Sequence, residues 1–256
     1  GPLEEKFSIE MQKIDNKNII KLGSCWFRHL DEIKKKYLSI ENISRSKEID
    51  STTFIMYAGI SKLYFPRSSE LKVVQEILNH IRGKNIKLIY RPVADSEVEK
   101  KNLINLFSKE DFLILQFPEG ASIGLNKVDE SDFNNELINH YKSLINVKVI
   151  IMSLWTSLAL DTAYISNAGI ISNFFDPTGT LDKRNSKLLI NSNNQILFFK
   201  NCEVAYNIKQ MLNMIDSLLK NDSKRVSDSI ENYKLWDFGS KNFDIYLEKA
   251  LFNKIL

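Results

Sequence analysis

Short apolar runs recur along the chain at intervals long enough to hold a helix, and this alternation most constrains the fold. The runs are TFIMYA from Thr53, IKLIY from Ile86, FLILQF from Phe112, VKVIIM from Val147, IISNFF from Ile170 and QILFF from Gln195. Most are continuous, not alternating, which suits strands covered on both faces. Between the first two, Leu71, Val74, Ile77, Leu78 and Ile81 form one apolar stripe at helical spacing, and Gly83 can end it. DSEVEKKNLINLF opens with Ser96 and Glu99 in capping-box spacing. SDFNNELINHYKSLI reads as a helix leading into the fourth run, and helices close the chain from Glu203 onward. Strand–helix–strand alternation predicts right-handed crossovers and parallel pairing. The expected fold class is therefore α/β: a Rossmann-like, doubly wound, mainly parallel six-stranded sheet flanked by helices. Such sheets bind ligands outside the carboxyl ends of their strands, so residues just after each run carry most of the functional information.

Residues 1–22 read as a scar and linker, and residues 23–256 as one domain. The opening Gly-Pro-Leu resembles a protease-cleavage scar, which implies an excised fragment. A hydrophobic fraction of 43% supplies a real core. Net charge is +3, from 35 basic and 32 acidic residues, which is no nucleic-acid footprint and only a weak pull toward an anionic surface. No apolar stretch is long enough to span a bilayer and no signal peptide is present, so the expected location is cytoplasmic, at most peripheral at the inner face of the membrane. Cys25 and Cys202 have no paired-spacing motif and read as reduced thiols. Neither a dinucleotide glycine fingerprint nor a phosphate-loop Gly-Lys-Ser/Thr follows the first strand, which argues against NAD(P) and ATP hydrolysis. His29, His80 and His140 are dispersed and read as surface or helix-face residues, and VDESD reads as a loop and cap. No metal and no cofactor are expected.

The fourth run stops at a hydroxyl cluster, Ser153, Thr156 and Ser157. A helix starting there exposes unpaired N–H groups and the positive end of its dipole, which favour an anion. Simple N-capping explains any one hydroxyl; three together favour a ligand. Asp161 follows Ser157 by one helical turn and can accept hydrogen bonds from ribose hydroxyls; the alternative is a solvated helix acid. Arg91 is kept extended by Pro92 and offers a forked donor set to phosphate, or pairs with Asp95 at the surface. Gly59 and Ser61 follow the first strand.

SLWTSLALDTAYISNAGIISNFFDP resembles the nucleotide-sugar signature in the C-terminal half of GT-B glycosyltransferases of the bacterial surface-polysaccharide type. IKLGSCWFRHLD resembles the linker into that half, without its usual proline, and TFIMYAGIS its first strand and loop. IKLIYRPVADSE resembles the second strand, with Arg-Pro where relatives often continue into His-Pro, and YKLWDFGSKNFDIYLEKAL resembles the closing helices. The match runs from Ile19 to the end.

The resemblance implies that Thr156 and Ser157 contact phosphate, that Asp161 binds the ribose, and that the loop from Phe117 to Gly120, with Glu119, frames the base. Gly59, Ser61, Arg91 and Ser153 complete the implied nucleotide-sugar site. Asp161 is then expected to face an open cleft and to contribute little to packing. The implied partners are a nucleotide sugar, a glycan or polysaccharide acceptor, and a missing N-terminal half that supplies most of the acceptor pocket and any general base. Tyr233, Trp236, Phe238, Phe243 and Tyr246 read as core of the closing helices, partly exposed without that half. Two rivals share the pattern: a GT-B-like sugar-nucleotide epimerase, and a non-catalytic nucleotide-binding or protein-interaction module.

Overall fold

The computed structural model describes residues 2–19, 27, 28, 30, 31, 35, 52–94, 96–117, 140, 143–153, 156–181 and 202–234. Along the chain these form α1 (Pro2–Glu10), β1 (Thr53–Ala58), α2 (Arg67–Ile81), β2 (Ile86–Arg91), α3 (Glu97–Leu106), β3 (Leu113–Leu115), β4 (Val147–Met152), α4 (Ser157–Ser166), β5 (Gly169–Asn173), β6 (Glu203–Ala205), α5 (Ile208–Lys220) and α6 (Asp222–Lys234). The six strands make one sheet in the order β3-β2-β1-β4-β5-β6, and every described pairing is parallel. This is the doubly wound arrangement expected from the alternation of runs and helices.

Continuous apolar runs are needed because each strand buries both faces. In β1 and β4, Ile55, Tyr57, Val149 and Ile151 pack with Val73, Val74, Ile77 and Leu78 of α2 and with Met211 and Ile215 of α5. The alternate residues Met56, Ala58, Ile150 and Met152 pack with Ala159, Leu160 and Ala163 of α4 and with Phe27 and Leu30. The stripe on α2 behaves as expected, with Val74, Ile77, Leu78 and Ile81 fully buried.

Three expectations are adjusted. The sixth strand among the described residues is Glu203–Ala205, paired with the end of β5; the QILFF run at 195–199 lies outside the described residues. Glu203 therefore starts a strand, and α5 begins only after Asn207, whose side chain accepts from the Gln210 N–H at 2.9 Å. A three-residue strand carries too little periodicity to announce itself. Of FLILQF only Leu113–Leu115 pairs, at the sheet edge, where Ile114 is 42% exposed. Ser96 caps α3 by accepting the Glu99 N–H, while the Glu99 carboxylate is engaged by Arg67 at 3.0 Å. Most of SDFNNELINHYKSLI, and the aromatic closing segment beyond α6, lie outside the described residues. Among the described residues no helix is long and apolar enough to cross a membrane.

The helix that carries Asp161 is fastened at its far end. Asn167 closes α4 in a left-handed conformation, and Arg225, 2% exposed, donates from Nη1 to the Asn167 carbonyl at 2.7 Å. A cation at a helix C-terminus also opposes the negative end of the dipole. Ser229 donates to the Ala168 carbonyl at 2.5 Å, so α6 holds the turn twice. Replacing Arg225 with Met leaves that carbonyl without its donor and is expected to cost about 1–3 kcal/mol. Urea unfolding of Arg225→Met should show a lower midpoint with an unchanged slope.

Candidate functional site at the carboxyl edge of the sheet

All six strands end on one side, and the order reverses between β1 and β4. Tyr57 and Tyr90 occupy facing register positions on β1 and β2, with ring centroids 5.9 Å apart. Burial pushes both phenols above their ordinary range, so both remain neutral hydrogen-bonding groups. The Tyr57 hydroxyl meets Ser153 Oγ at 2.6 Å across the reversal point. Ser153 is 1% exposed. Its hydroxyl is thus a buried strut tied to Tyr57.

Gly59 also has a structural reason. Its N–H donates to the Arg91 carbonyl at 2.9 Å. A Cβ there would lie 2.6 Å from Glu70 Oε1 and 2.8 Å from the Pro92 Cα. Only glycine lets the loops after β1 and β2 touch this closely. Ser61 builds the turn that follows: its hydroxyl accepts from the Leu63 N–H at 3.3 Å and its carbonyl from the Tyr64 N–H at 2.9 Å.

Beneath these loops lies a polar network that sequence reasoning missed. Glu70, fully buried on α2, accepts from the Ile60 N–H and from the Tyr90 hydroxyl, each at 2.8 Å, and is ion-paired with Arg67. Arg67 reaches further, to Glu99 at 3.0 Å, the Tyr90 hydroxyl at 3.1 Å and the Val93 carbonyl at 2.6 Å. The pair therefore joins the loops after β1 and β2 to α2 and α3. The available signal was an acid at position 70 directly beside the apolar stripe of α2.

The loop after β5 is tied to the same helix. Ser69 donates to Asp176 and lies 2.5 Å from Thr178 Oγ1. Asp176 also accepts from the N–H groups of Thr178 at 3.0 Å and Leu181 at 2.7 Å. Burial pushes the Asp176 carboxyl up, but these hydrogen bonds outweigh it and hold the group below its ordinary range.

The remaining candidates separate. Thr156 is the N-cap of α4, accepting from the Leu158 N–H at 3.3 Å. Ser157, the first residue of the helix, is exposed. Asp161 is 5% exposed and does not share the open surroundings of Ser157. This overturns both the solvated-acid alternative and the expectation of a carboxylate facing an open cleft. Asp161 lies instead beside His140, with Oδ2 3.8 Å from Nε2, and His140 Nδ1 lies 2.6 Å from Arg91 Nη1. Burial pulls the Arg91 guanidinium below its ordinary pKa, and the charge of Asp161 opposes that pull.

The structure thus links Arg91 and Asp161 through a histidine that the sequence marks only as a surface or helix-face residue. Phe117, two residues after β3, has Lys100 Nζ 5.4 Å from its ring centroid. Glu119 and Asp95 lie outside the described residues. Among the described residues, no group of three or more His, Cys, Asp or Glu side chains could hold a metal ion. Burial pushes the Cys202 thiol up to about 12, which keeps it protonated.

No family model matches the chain, and no curated protein matches it. Solved structures do. UDP-GlcNAc 2-epimerase from Neisseria meningitidis bound to UDP-GlcNAc superposes with a TM-score of 0.60 at 11% identity, over 99% of this chain and 60% of that one. The Methanocaldococcus jannaschii UDP-GlcNAc 2-epimerase in complex with UDP-GlcNAc and UDP gives 0.58 at 12% identity, over 98% and 60%. A glycosyltransferase from Rickettsia africae aligns more loosely, at 0.48 and 10% identity over 97% and 60%. The chain therefore spans about three fifths of the length of these proteins. What it shares with the epimerases is a GT-B-like, Rossmann-type fold.

Two outcomes follow from the network under the edge. Gly59→Ala forces backbone apart and should cost about 1–3 kcal/mol, measured by chemical unfolding. Asp176 contributes its stability in full above the unfolded carboxyl pKa of about 3.9 and loses it as the pH falls through its lower folded value. Asp176→Asn should be less stable than the wild type at neutral pH, and the gap should close in melts below about pH 4.

Proposed function

We propose that the chain binds the donor nucleotide sugar of a GT-B-type glycosyltransferase that transfers the sugar to a glycan or polysaccharide acceptor. The observation that carries this reading is the meeting of Arg91 and Asp161 at the carboxyl edge, beside the reversal point between β1 and β4. A cation for the diphosphate and an acid for the ribose then lie near one helix start, where Thr156 and Ser157 add hydroxyls and N–H donors. Phe117 and Glu119 frame the base in this reading. The acceptor site and the general base come from a partner half, and the sugar transfer needs no metal. The cellular setting of this reading is the cytoplasm, at most peripheral at the inner face of the membrane.

A second reading is a sugar-nucleotide epimerase. Its support is the superposition on two UDP-GlcNAc 2-epimerases, whose solved structures contain UDP-GlcNAc. Both readings require the same nucleotide-sugar grip, and product analysis with a complete enzyme distinguishes a glycoside plus free nucleotide from an epimerised nucleotide sugar.

The grip is tested by a thermal-shift screen with UDP-, GDP-, CMP- and CDP-linked sugars. A ligand at a hundred times its Kd should stabilise the fold by about 2.7 kcal/mol. Arg91→Met should then weaken binding of the best nucleotide sugar by about tenfold to a hundredfold, the worth of a charge-assisted hydrogen bond. Asp161→Asn should weaken binding comparably and, because the carboxylate is buried, should also lower the melting temperature. No shift with any of the four classes, or unchanged affinity in Arg91→Met, contradicts the assignment.

A further inference from the structure

His140 stands between the two charged groups of the candidate site. A guanidinium has five N–H donors and no acceptor, so His140 Nδ1, 2.6 Å from Arg91 Nη1, is the acceptor of that bond. In the neutral ring the proton then sits on Nε2, which faces Asp161 Oδ2 at 3.8 Å. That separation exceeds a direct hydrogen bond, but a carboxylate this close favours the tautomer that turns N–H toward it. The His140 and Asp161 side chains are 16% and 8% exposed, so water competes little with either contact. The Nε and Nη2 donors of Arg91 have no hydrogen-bond partner among the described residues.

We propose that His140 is a positioning residue: it holds the Arg91 guanidinium so that its remaining donors meet the phosphates of the nucleotide sugar. This rests on the nucleotide-sugar reading of the site. An arginine left free loses side-chain freedom when it grips phosphate, whereas one already held loses less. Asp161 sets the tautomer, the tautomer makes Nδ1 an acceptor, and the acceptor fixes the fork. The ribose acid and the phosphate cation are thereby coupled through a ring that need not touch the ligand.

The test is calorimetric titration of UDP and UDP-GlcNAc into the wild type and variants, with a melting temperature for each. His140→Leu should bind about tenfold more weakly. His140→Asn, whose side-chain oxygen can take the place of Nδ1, should recover most of the affinity. In an Arg91→Met background the additional His140→Leu change should cost nothing further, because nothing remains to position. Equal affinity of His140→Leu and wild type, or the same loss with and without Arg91, overturns the inference while leaving the site reading in place. Failure of the wild type to bind either nucleotide overturns the site reading and the inference with it. If His140→Leu does not fold, His140→Asn is compared with His140→Gln, whose amide reaches the Nε2 position: Asn should bind as wild type and Gln should not. Equal binding by these two overturns the inference.

Discussion

β1 is hydrogen-bonded on one side to β2 and on the other to β4, all three running in the same direction. Everything else depends on that pairing. Parallel strands require helical crossovers, which cover both faces and make the strands apolar throughout. They also deliver the carboxyl ends of β1, β2, β4 and β5 to one edge, with the reversal of order beside β1. Loops that leave such an edge carry unpaired backbone groups, and the chain must satisfy them before any ligand arrives.

It does so from below. Tyr57 and Ser153 close the reversal point, and Glu70 with Arg67 satisfies the Ile60 N–H and the Val93 carbonyl. A buried ion pair of this kind is weak evidence of added stability, since removing two charges from water is costly. Its effect is on placement: Arg67 has four partners, on α2, α3, β2 and the loop after β2, and Gly59 fits only while they stay in register. Asp176 and Arg225 do the same at the next loop and at the far end of α4. The upper surface of the edge is consequently held largely from beneath, with Tyr57, Ser153 and Glu70 buried.

The strands were legible wherever a run was long and apolar on both faces, as in β1, β2 and β4. β6 was not, because three residues of mixed polarity carry no period, and an asparagine cap four residues downstream was read as part of one helical stretch. Ser96 was legible as a cap because capping is local in sequence, and Thr156 caps α4 as the alternative reading of its hydroxyl allowed. Arg91 and Asp161 were legible as site candidates from their places after β2 and inside α4. His140 was not, because its significance depends on partners 49 positions upstream and 21 downstream in the numbering. The bond of Ser153 was illegible for the same reason: the tyrosine that meets its hydroxyl lies on another strand. Burial of Asp161 likewise depends on what packs over α4, which its own neighbours do not disclose.

The central claim is that the edge between β1 and β4, and no other part of the surface, receives a nucleotide sugar. Amide hydrogen exchange with and without saturating UDP-GlcNAc addresses this most directly, because it reads every segment at once. The account predicts slowed exchange in the loops after β1 and β2 and across the first turns of α4, with the amino ends of the strands unchanged. Slowed exchange confined to those amino ends or to the outer faces of α2 and α3, with none at the start of α4, would contradict it.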